Sequence, residues 1–128
     1  PNNVLPNSSD YNIFLLNNGA GIILACASLT AFRTAYSSLD RHSQQTTNLF
    51  ADPINYDFHL LSEMGRWTTN GWVRDAVTSP GVDGGDTNSA YAREPKPNGH
   101  RIDCGAYGNT GEASLTPRVT VGTMFRIW

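Results

Sequence analysis

The sequence predicts an all-β fold with one short helix and one β-hairpin. Short apolar segments alternate with clusters of Asn, Asp, Gly and Pro, a pattern typical of short strands joined by turns. Only 16% of the 128 residues are charged, so uncharged polar residues must cover much of the surface. Such a composition favours an extracellular β protein over a cytosolic helical one. The length fits one domain with a modest core.

Two N-terminal segments are typical of strands. Residues 10–16 (DYNIFLL) and 21–27 (GIILACA) are apolar enough to be covered on one or both faces. Asn18-Gly19 lies between them and predicts a turn.

A further strand is expected at 57–61, after a turn at Asp52-Pro53. Side chains alternate between the two faces of a strand. Phe58 and Leu60 therefore share one face of the strand. We expect His59 to lie on the other, outward face, beside Asp57.

Residues 28–36 (SLTAFRTAY) change to a helical period. Leu29, Phe32 and Tyr36 recur at a spacing that places them on one face of a helix. Ser28 precedes them, and its hydroxyl can accept a hydrogen bond from the first turn. We therefore expect a short helix with Ser28 as its N-cap.

Residues 66–75 (RWTTNGWVRD) are typical of a hairpin. Asn70-Gly71 is a strong turn signal and favours a type I′ turn, in which both central residues have positive φ. A two-residue loop at this position pairs Trp67 with Arg74. One face of the hairpin then carries Trp67, Trp72 and Arg74, and the other carries Arg66, Val73 and Asp75.

The segment 78–114 is dominated by turn-forming residues. One short strand is expected around Val82 and another over 102–107. In the second, the inward positions are Ile102, Cys104 and Ala106. The tail, residues 119–128, predicts a last strand.

Taken together, several of these segments resemble a known family. The order DYN, SLTAFRTAY, ADP, DFHLLSEMGRW, TSPGVDGGD and EPKPNGHRIDCGAYGNTGEAS is similar to the C-terminal coils of secreted right-handed parallel β-helix proteins of the pectate-lyase-like class. The resemblance covers residues 9–114. Its most specific part is the pairing of SPGVDGGD with RIDCGAYGNT, whereas residues 115–128 match nothing in that family.

This resemblance implies a few coils of right-handed parallel β-helix, with the hairpin at 66–75 as an excursion. It also implies a bacterial, secreted or cell-surface protein that acts on polysaccharide. The end coils of such a solenoid expose open strand edges, so we expect either caps at both ends or a homo-oligomer. The 128 residues then form a single β-helix domain or, since they begin at Pro1, a fragment of a longer protein.

Several function classes are disfavoured. A net charge of −2 without a basic stripe argues against nucleic-acid binding. The longest apolar run, 21–27, is far shorter than the roughly 20 residues of a membrane span. The sequence has no GxSxG elbow, phosphate-binding loop or metal-finger spacing. Cys26 and Cys104 lie far apart in the sequence, and whether they pair stays open.

The candidate site residues are those suited to carbohydrate chemistry. Residues for acid–base catalysis are Asp57, His59, Asp75 and Glu94. Aromatic rings stack on sugar faces, and arginines bind sugar hydroxyls or carboxylates; the candidates for substrate binding are Trp67, Trp72, Arg66, Arg74 and Tyr91, with Tyr107 as a further aromatic. Glycoside hydrolysis needs two carboxylates, and a lyase needs a base and a group that neutralises a uronate. A non-catalytic glycan-binding, capping or anchoring module needs neither, and the sequence leaves all three open.

The run RIDCGAYGNTGEAS, residues 101–114, is either a chemical site or a device that shapes the backbone. Glycines permit positive φ, and Asp83 and Asp86 upstream suit turn corners, which favours the backbone interpretation. The same carboxylates, together with Asp103, make calcium the one candidate cofactor. Calcium takes six to eight oxygens, and the DGGD run lacks the spacing of an EF-hand loop.

Overall fold

A computed structural model of the chain describes residues 8–15, 26–46 and 50–118. Strands in this part of the chain are three or four residues long. The elements are β1 (Ile13–Leu15), α1 (Leu29–Ala35), β2 (Gln44–Thr46), β3 (Phe50–Asp52), β4 (Asp57–Leu60), β5 (Arg66–Thr68) and β6 (Gly71–Val73). A 3-10 helix, Pro53–Asn55, joins β3 to β4 and begins at the predicted turn.

The strands pair two by two and do not stack into coils. β1 and β2 are parallel, with Ile13 opposite Gln44, whereas β3–β4 and β5–β6 are antiparallel. The predicted right-handed parallel β-helix is therefore wrong, because the described residues form three separate two-stranded sheets. Strands β3 to β6 pair with the neighbour next to them in sequence. The open solenoid ends on which the expected oligomer depended are not found in this part of the chain.

The predicted helix is confirmed, with Ser28 as its N-cap. The Ser28 hydroxyl accepts a hydrogen bond from the Ala31 amide at 3.0 Å, which satisfies one of the free amides of the first turn. Leu29 and Phe32 point into a small core with Leu39. Helical spacing thus buries one face of α1, as the sequence indicates.

A buried carboxylate fastens the parallel pair to the helix. Asp40 lies in the connection between α1 and β2 and accepts side-chain hydrogen bonds from Ser9, Asn12 and Ser43 at 3.1, 2.8 and 2.7 Å. From α1, the Arg33 guanidinium donates to the carbonyl of Asp40 at 2.7 Å. Buried polar groups must be paired in this way, so these contacts hold the segments around β1, α1 and β2 together.

The hairpin at 66–75 exists, but its predicted register is wrong by two residues, since Trp67 was expected opposite Arg74. Trp67 lies opposite Trp72, and Thr68 lies opposite Gly71. Gly71 takes the positive φ, 115°, and Asn70 does not, which excludes a type I′ turn centred on Asn70-Gly71. The Thr68 hydroxyl explains the shift, because it accepts from the Asn70 amide and donates to the Gly71 carbonyl. The predicted sharing of one face by Trp67 and Trp72 is confirmed.

From residue 78 to residue 118 the described chain folds through turns, and the strands expected around Val82 and over 102–107 are wrong. The alternation expected in the second strand is also wrong, since Ala106 is exposed and Asp103 is buried. Asp, Asn and Gly offer the backbone turn and side-chain partners that compete with a ladder. This segment packs on β4 through Gly81, where a Cβ would come within 3.0 Å of Leu60.

The remaining predictions concern the segments at 18–27 and 119–128, the two cysteines and membrane spans. The turn at Asn18-Gly19, most of the strand at 21–27 and the tail strand at 119–128 lie outside the described residues. Cys26 and Cys104 are both free thiols. No helix in the described ranges is long and apolar enough to cross a membrane.

Candidate functional site

The predicted Asp57–His59 pair is present on β4. The Asp57 carboxylate lies 2.6 Å from Nδ1 of His59 and also accepts from the His59 amide at 3.1 Å. The expectation that His59 faces outward is wrong, because its side chain is only 7% exposed. Phe58 lies on the exposed side of the strand instead.

Two aromatic rings enclose the His59 imidazole. Tyr107 stacks on it with ring centroids 3.7 Å apart and planes 12° from parallel. Trp67, from β5, stacks at 5.4 Å and 29°. The short connection from β4 to β5 brings Trp67 to this position, whereas Tyr107 comes from the distant turn-rich segment.

These side chains line an open groove of about 280 Å³, which we call the His59 groove. It is lined by Asn55, Tyr56, Asp57, His59, Trp67, Thr68, Thr69 and Tyr107. Its walls combine aromatic rings with hydroxyl, amide and carboxylate groups. This is the usual make-up of a small-ligand site, mostly apolar with a few placed polar groups.

A second carboxylate approaches His59 from the other side. Oε2 of Glu112 lies 3.2 Å from Nε2 of His59. An imidazole donates to acceptors on both nitrogens when each nitrogen carries a proton. Partial burial raises the pKa of the Asp57 carboxyl, but the hydrogen bonds from His59 outweigh it and hold that pKa below its ordinary value. Asp57 is therefore a carboxylate, and both it and Glu112 remain partly open to solvent, at 37% and 41%.

Arg66 and Asp75 do not line the groove, but they bond to each other next to Asp57. The Arg66 guanidinium donates to both oxygens of Asp75, at 3.0 Å from Nε and 3.1 Å from Nη2, a geometry that holds the arginine in one orientation. A further nitrogen of Arg66 lies 3.9 Å from Asp57. Asp75 also accepts from the Ser62 amide at 2.9 Å. Both residues thus hold the backbone and Asp57 in place.

Glu94 lies elsewhere, near the buried Asp103 and the half-buried Asp83, and we call these three carboxylates the Glu94 cluster. Oε1 of Glu94 accepts from the amides of Asp103 and Asn109 at 2.9 and 2.8 Å. Burial raises the pKa of Asp103 to about 7, although hydrogen bonds from the amides of Asp83 and Ser114 oppose this. The cluster therefore joins loop segments through their backbone.

The three residues predicted to bind calcium are used for loop structure. Asp103 accepts from the Asp83 amide at 2.8 Å and from the Ser114 amide at 3.0 Å. Asp86 accepts from the Asn88 amide at 2.9 Å within its own turn. Among the described residues, no group of three or more His, Cys, Asp or Glu side chains is placed to hold a metal ion.

The remaining predicted binding residues lie outside the groove lining. Trp72 sits across the hairpin from Trp67, and Arg74 is exposed just beyond β6. Tyr91 contacts His100 edge to face at 5.9 Å. Glu112 was not identified from the sequence, because it is 53 residues from His59 and only the fold brings them together.

Comparison with known proteins identifies the family. The family model described as disaggregatase related matches residues 2–85, which is well over half of the chain and includes α1, β4 and the hairpin. No curated protein and no solved structure gives a significant match. This match does not extend to the pectate-lyase-like class that the sequence suggested. The chain belongs to the disaggregatase-related family.

Proposed function

We propose that the chain binds a polysaccharide in the His59 groove and hydrolyses it there. The observation that carries this proposal is the combination of an aromatic wall, a buried imidazole and the partly exposed Asp57 carboxylate in one groove, with a second carboxylate, Glu112, bonded to the same imidazole. A secreted or cell-surface location is part of the proposal.

The groove offers the chemistry that a sugar ring needs. The face of Trp67 is apolar enough to cover the C–H face of a pyranose, and Asn55 and Thr69 supply groups that bond to hydroxyls. The volume of about 280 Å³ is near the lower end of the roughly 300–1,000 Å³ of small-molecule pockets. One ring of a longer chain therefore fits, with its neighbours extending into solvent.

The carboxylates favour hydrolysis over elimination. Glycoside hydrolysis uses one ionised carboxylate and one acid. Asp57, with its lowered pKa, suits the base or nucleophile, and Glu112 supplies the second carboxyl beside the same imidazole. A lyase must neutralise a uronate carboxylate, but the Arg66 guanidinium is already bonded to Asp75. The groove thus suits an uncharged ring.

The family description points in the same direction. Disaggregation is the dispersal of aggregated particles or cells, and cleavage of a polymer that holds them together would disperse them. A polysaccharide substrate is consistent with that description.

A second candidate is a non-catalytic glycan-binding module. The imidazole of His59 fills the space between Asp57 and Glu112 and is stacked closely against Tyr107. Inverting glycosidases keep that space open for a water molecule. This arrangement favours binding without cleavage, with His59 serving to fix the groove.

One assay separates these functions. The purified chain is incubated with a panel of neutral and acidic polysaccharides, while new reducing ends, unsaturated products and retention on an affinity gel are measured. Reducing ends support hydrolysis, unsaturated products support a lyase, and retention alone supports a binding module. Trp67→Ala should abolish retention, while Phe58→Ala, on the opposite side of β4, should preserve it. Retention unaffected by Trp67→Ala would reject the groove as the site.

A further inference from the structure

A second and larger pocket lies away from the His59 groove. Its volume is about 520 Å³, and two chain segments form its walls. We call it the basic pocket; it is lined by Lys96, Pro97, Asn98, Gly99, His100, Thr116, Pro117 and Arg118. None of these lining residues is acidic, and three of them can carry a positive charge.

The walls of the basic pocket are fixed by backbone hydrogen bonds. The Arg101 amide donates to the Asn98 carbonyl at 3.4 Å, and Gly99 and His100 both have positive φ, 56° and 60°, as in a type I′ turn. The Thr116 amide donates to the Pro97 carbonyl at 2.8 Å and joins the two walls. The pocket is therefore built into the fold.

One carboxylate, that of Asp83, lies next to the lining of the basic pocket and already has a hydrogen-bond partner. Asp83 packs against Gly99, where an added Cβ would collide with its carboxylate. Both oxygens of Asp83 are within 2.9 Å of the Thr116 hydroxyl, which can donate to them. Lys96, His100 and Arg118 are exposed at the mouth, so cationic groups outnumber the carboxylate there.

We propose that the basic pocket binds the carboxylate or sulfate group of an acidic sugar. Exposed ammonium and guanidinium groups on two sides of a concave site attract such anions, and arginine binds them in a bidentate manner. The volume falls within the roughly 300–1,000 Å³ of small-molecule pockets, enough for a sugar ring with its substituent. This goes beyond the proposed function, because it adds a site for a negatively charged sugar, whereas the His59 groove suits an uncharged one, and it does not depend on that groove.

The test is a calorimetric titration at about 10 mM salt, where the Debye length is roughly 30 Å, so the salt screens the surface charges only weakly. The ligands are inorganic sulfate, an oligogalacturonate and a neutral oligosaccharide of matched length. The variant is Lys96→Ala with Arg118→Ala. The control is Arg41→Ala with Arg93→Ala, which removes the same charge from exposed positions outside the pocket.

We expect the oligogalacturonate to bind more tightly than free sulfate, and the neutral oligosaccharide not to compete. The pocket variant should weaken binding about tenfold or more, since a hydrogen bond to a charged group is lost at each wall. Equal weakening in the control, binding of sulfate alone, or no binding of either anion would overturn the proposal. Trp67→Ala should leave anion binding unchanged, so the result is independent of the His59 groove.

Discussion

The His59 groove and the Glu94 cluster use the same kinds of side chain for different purposes. At the groove, Asp57 and, from outside its lining, Glu112 bond to the same side-chain imidazole and stay partly open to solvent. In the cluster, Glu94 and Asp103 are buried and bond to backbone amides of distant loops. A carboxylate that saturates backbone donors holds the fold together, whereas one that faces solvent beside an imidazole remains available to a ligand.

The largest effect should come from breaking the cluster. Glu94→Ala removes the acceptor for two backbone amides in a buried place, which should lower the free energy of unfolding by about 4 kcal/mol. Denaturant unfolding monitored by tryptophan fluorescence measures this. Glu63→Ala, at an exposed position, is the matched control and should change stability by less than about 0.5 kcal/mol. Equal changes in both variants would refute the structural role of Glu94.

The next effect is a pH dependence of stability. Burial raises the pKa of Asp103 from its ordinary value of 3.8 to about 7 in the folded chain. The folded state therefore holds a proton that the unfolded state has lost, and stability declines as pH rises from about 4 to 7. We expect a loss of about 3 kcal/mol between pH 5 and pH 8.

Asp103→Asn provides the control for that pH dependence. It cannot titrate, so the decline with pH should become much shallower, although the overall stability also falls because one acceptor for a backbone amide is lost. Burial also raises the pKa of Asp83, which adds a smaller decline of the same sign. A wild-type chain more stable at pH 8 than at pH 5 would contradict the assignment.

A smaller effect on stability is expected at Asp75. Asp75 was a catalytic candidate, but it holds Arg66 and the Ser62 amide. Asp75→Asn should reduce stability by about 2 kcal/mol, since a half-buried charged pair is broken. Thermal unfolding measures this, and binding to polysaccharide should persist below the transition. Lost binding in a fully folded variant would place Asp75 among the ligand contacts.

The smallest effect on stability is expected at Asp57. Its pKa is lowered in the folded chain, so its contribution is present above the unfolded pKa and is lost as pH falls through the folded value. Because the side chain is 37% exposed, solvent screening limits the change for Asp57→Asn to no more than about 1 kcal/mol. Urea unfolding at pH 7 tests this, and a loss of several kcal/mol would assign Asp57 to the fold instead of the ligand.

Local features were predictable from the sequence, and long-range ones were not. Ser28 and the spacing of Leu29 and Phe32 predicted α1, because helix caps and helix faces depend on neighbours within a few residues. The pairing of Asp57 with His59 was predictable for the same reason. The β-helix was wrong because the Gly- and Asp-rich run from residue 78 onward closes into turns bonded by side chains.

The rest of the site depends on contacts that no short window contains. Glu112 and Tyr107 meet His59 only after the turn-rich segment has folded against β4. The burial of Glu94 depends on amides of Asp103 and Asn109 that point at it. The hairpin register depended on one threonine hydroxyl, which outweighed the Asn-Gly turn signal.

The most direct test compares Asp57→Asn with Glu94→Gln in the release of reducing ends from polysaccharide, per folded molecule, at a temperature where both variants are folded. We predict that Asp57→Asn loses nearly all of the activity and that Glu94→Gln retains the wild-type rate. The reverse ranking, or a wild-type chain that releases no reducing ends from any polysaccharide, would contradict the assignment of catalysis to the His59 groove.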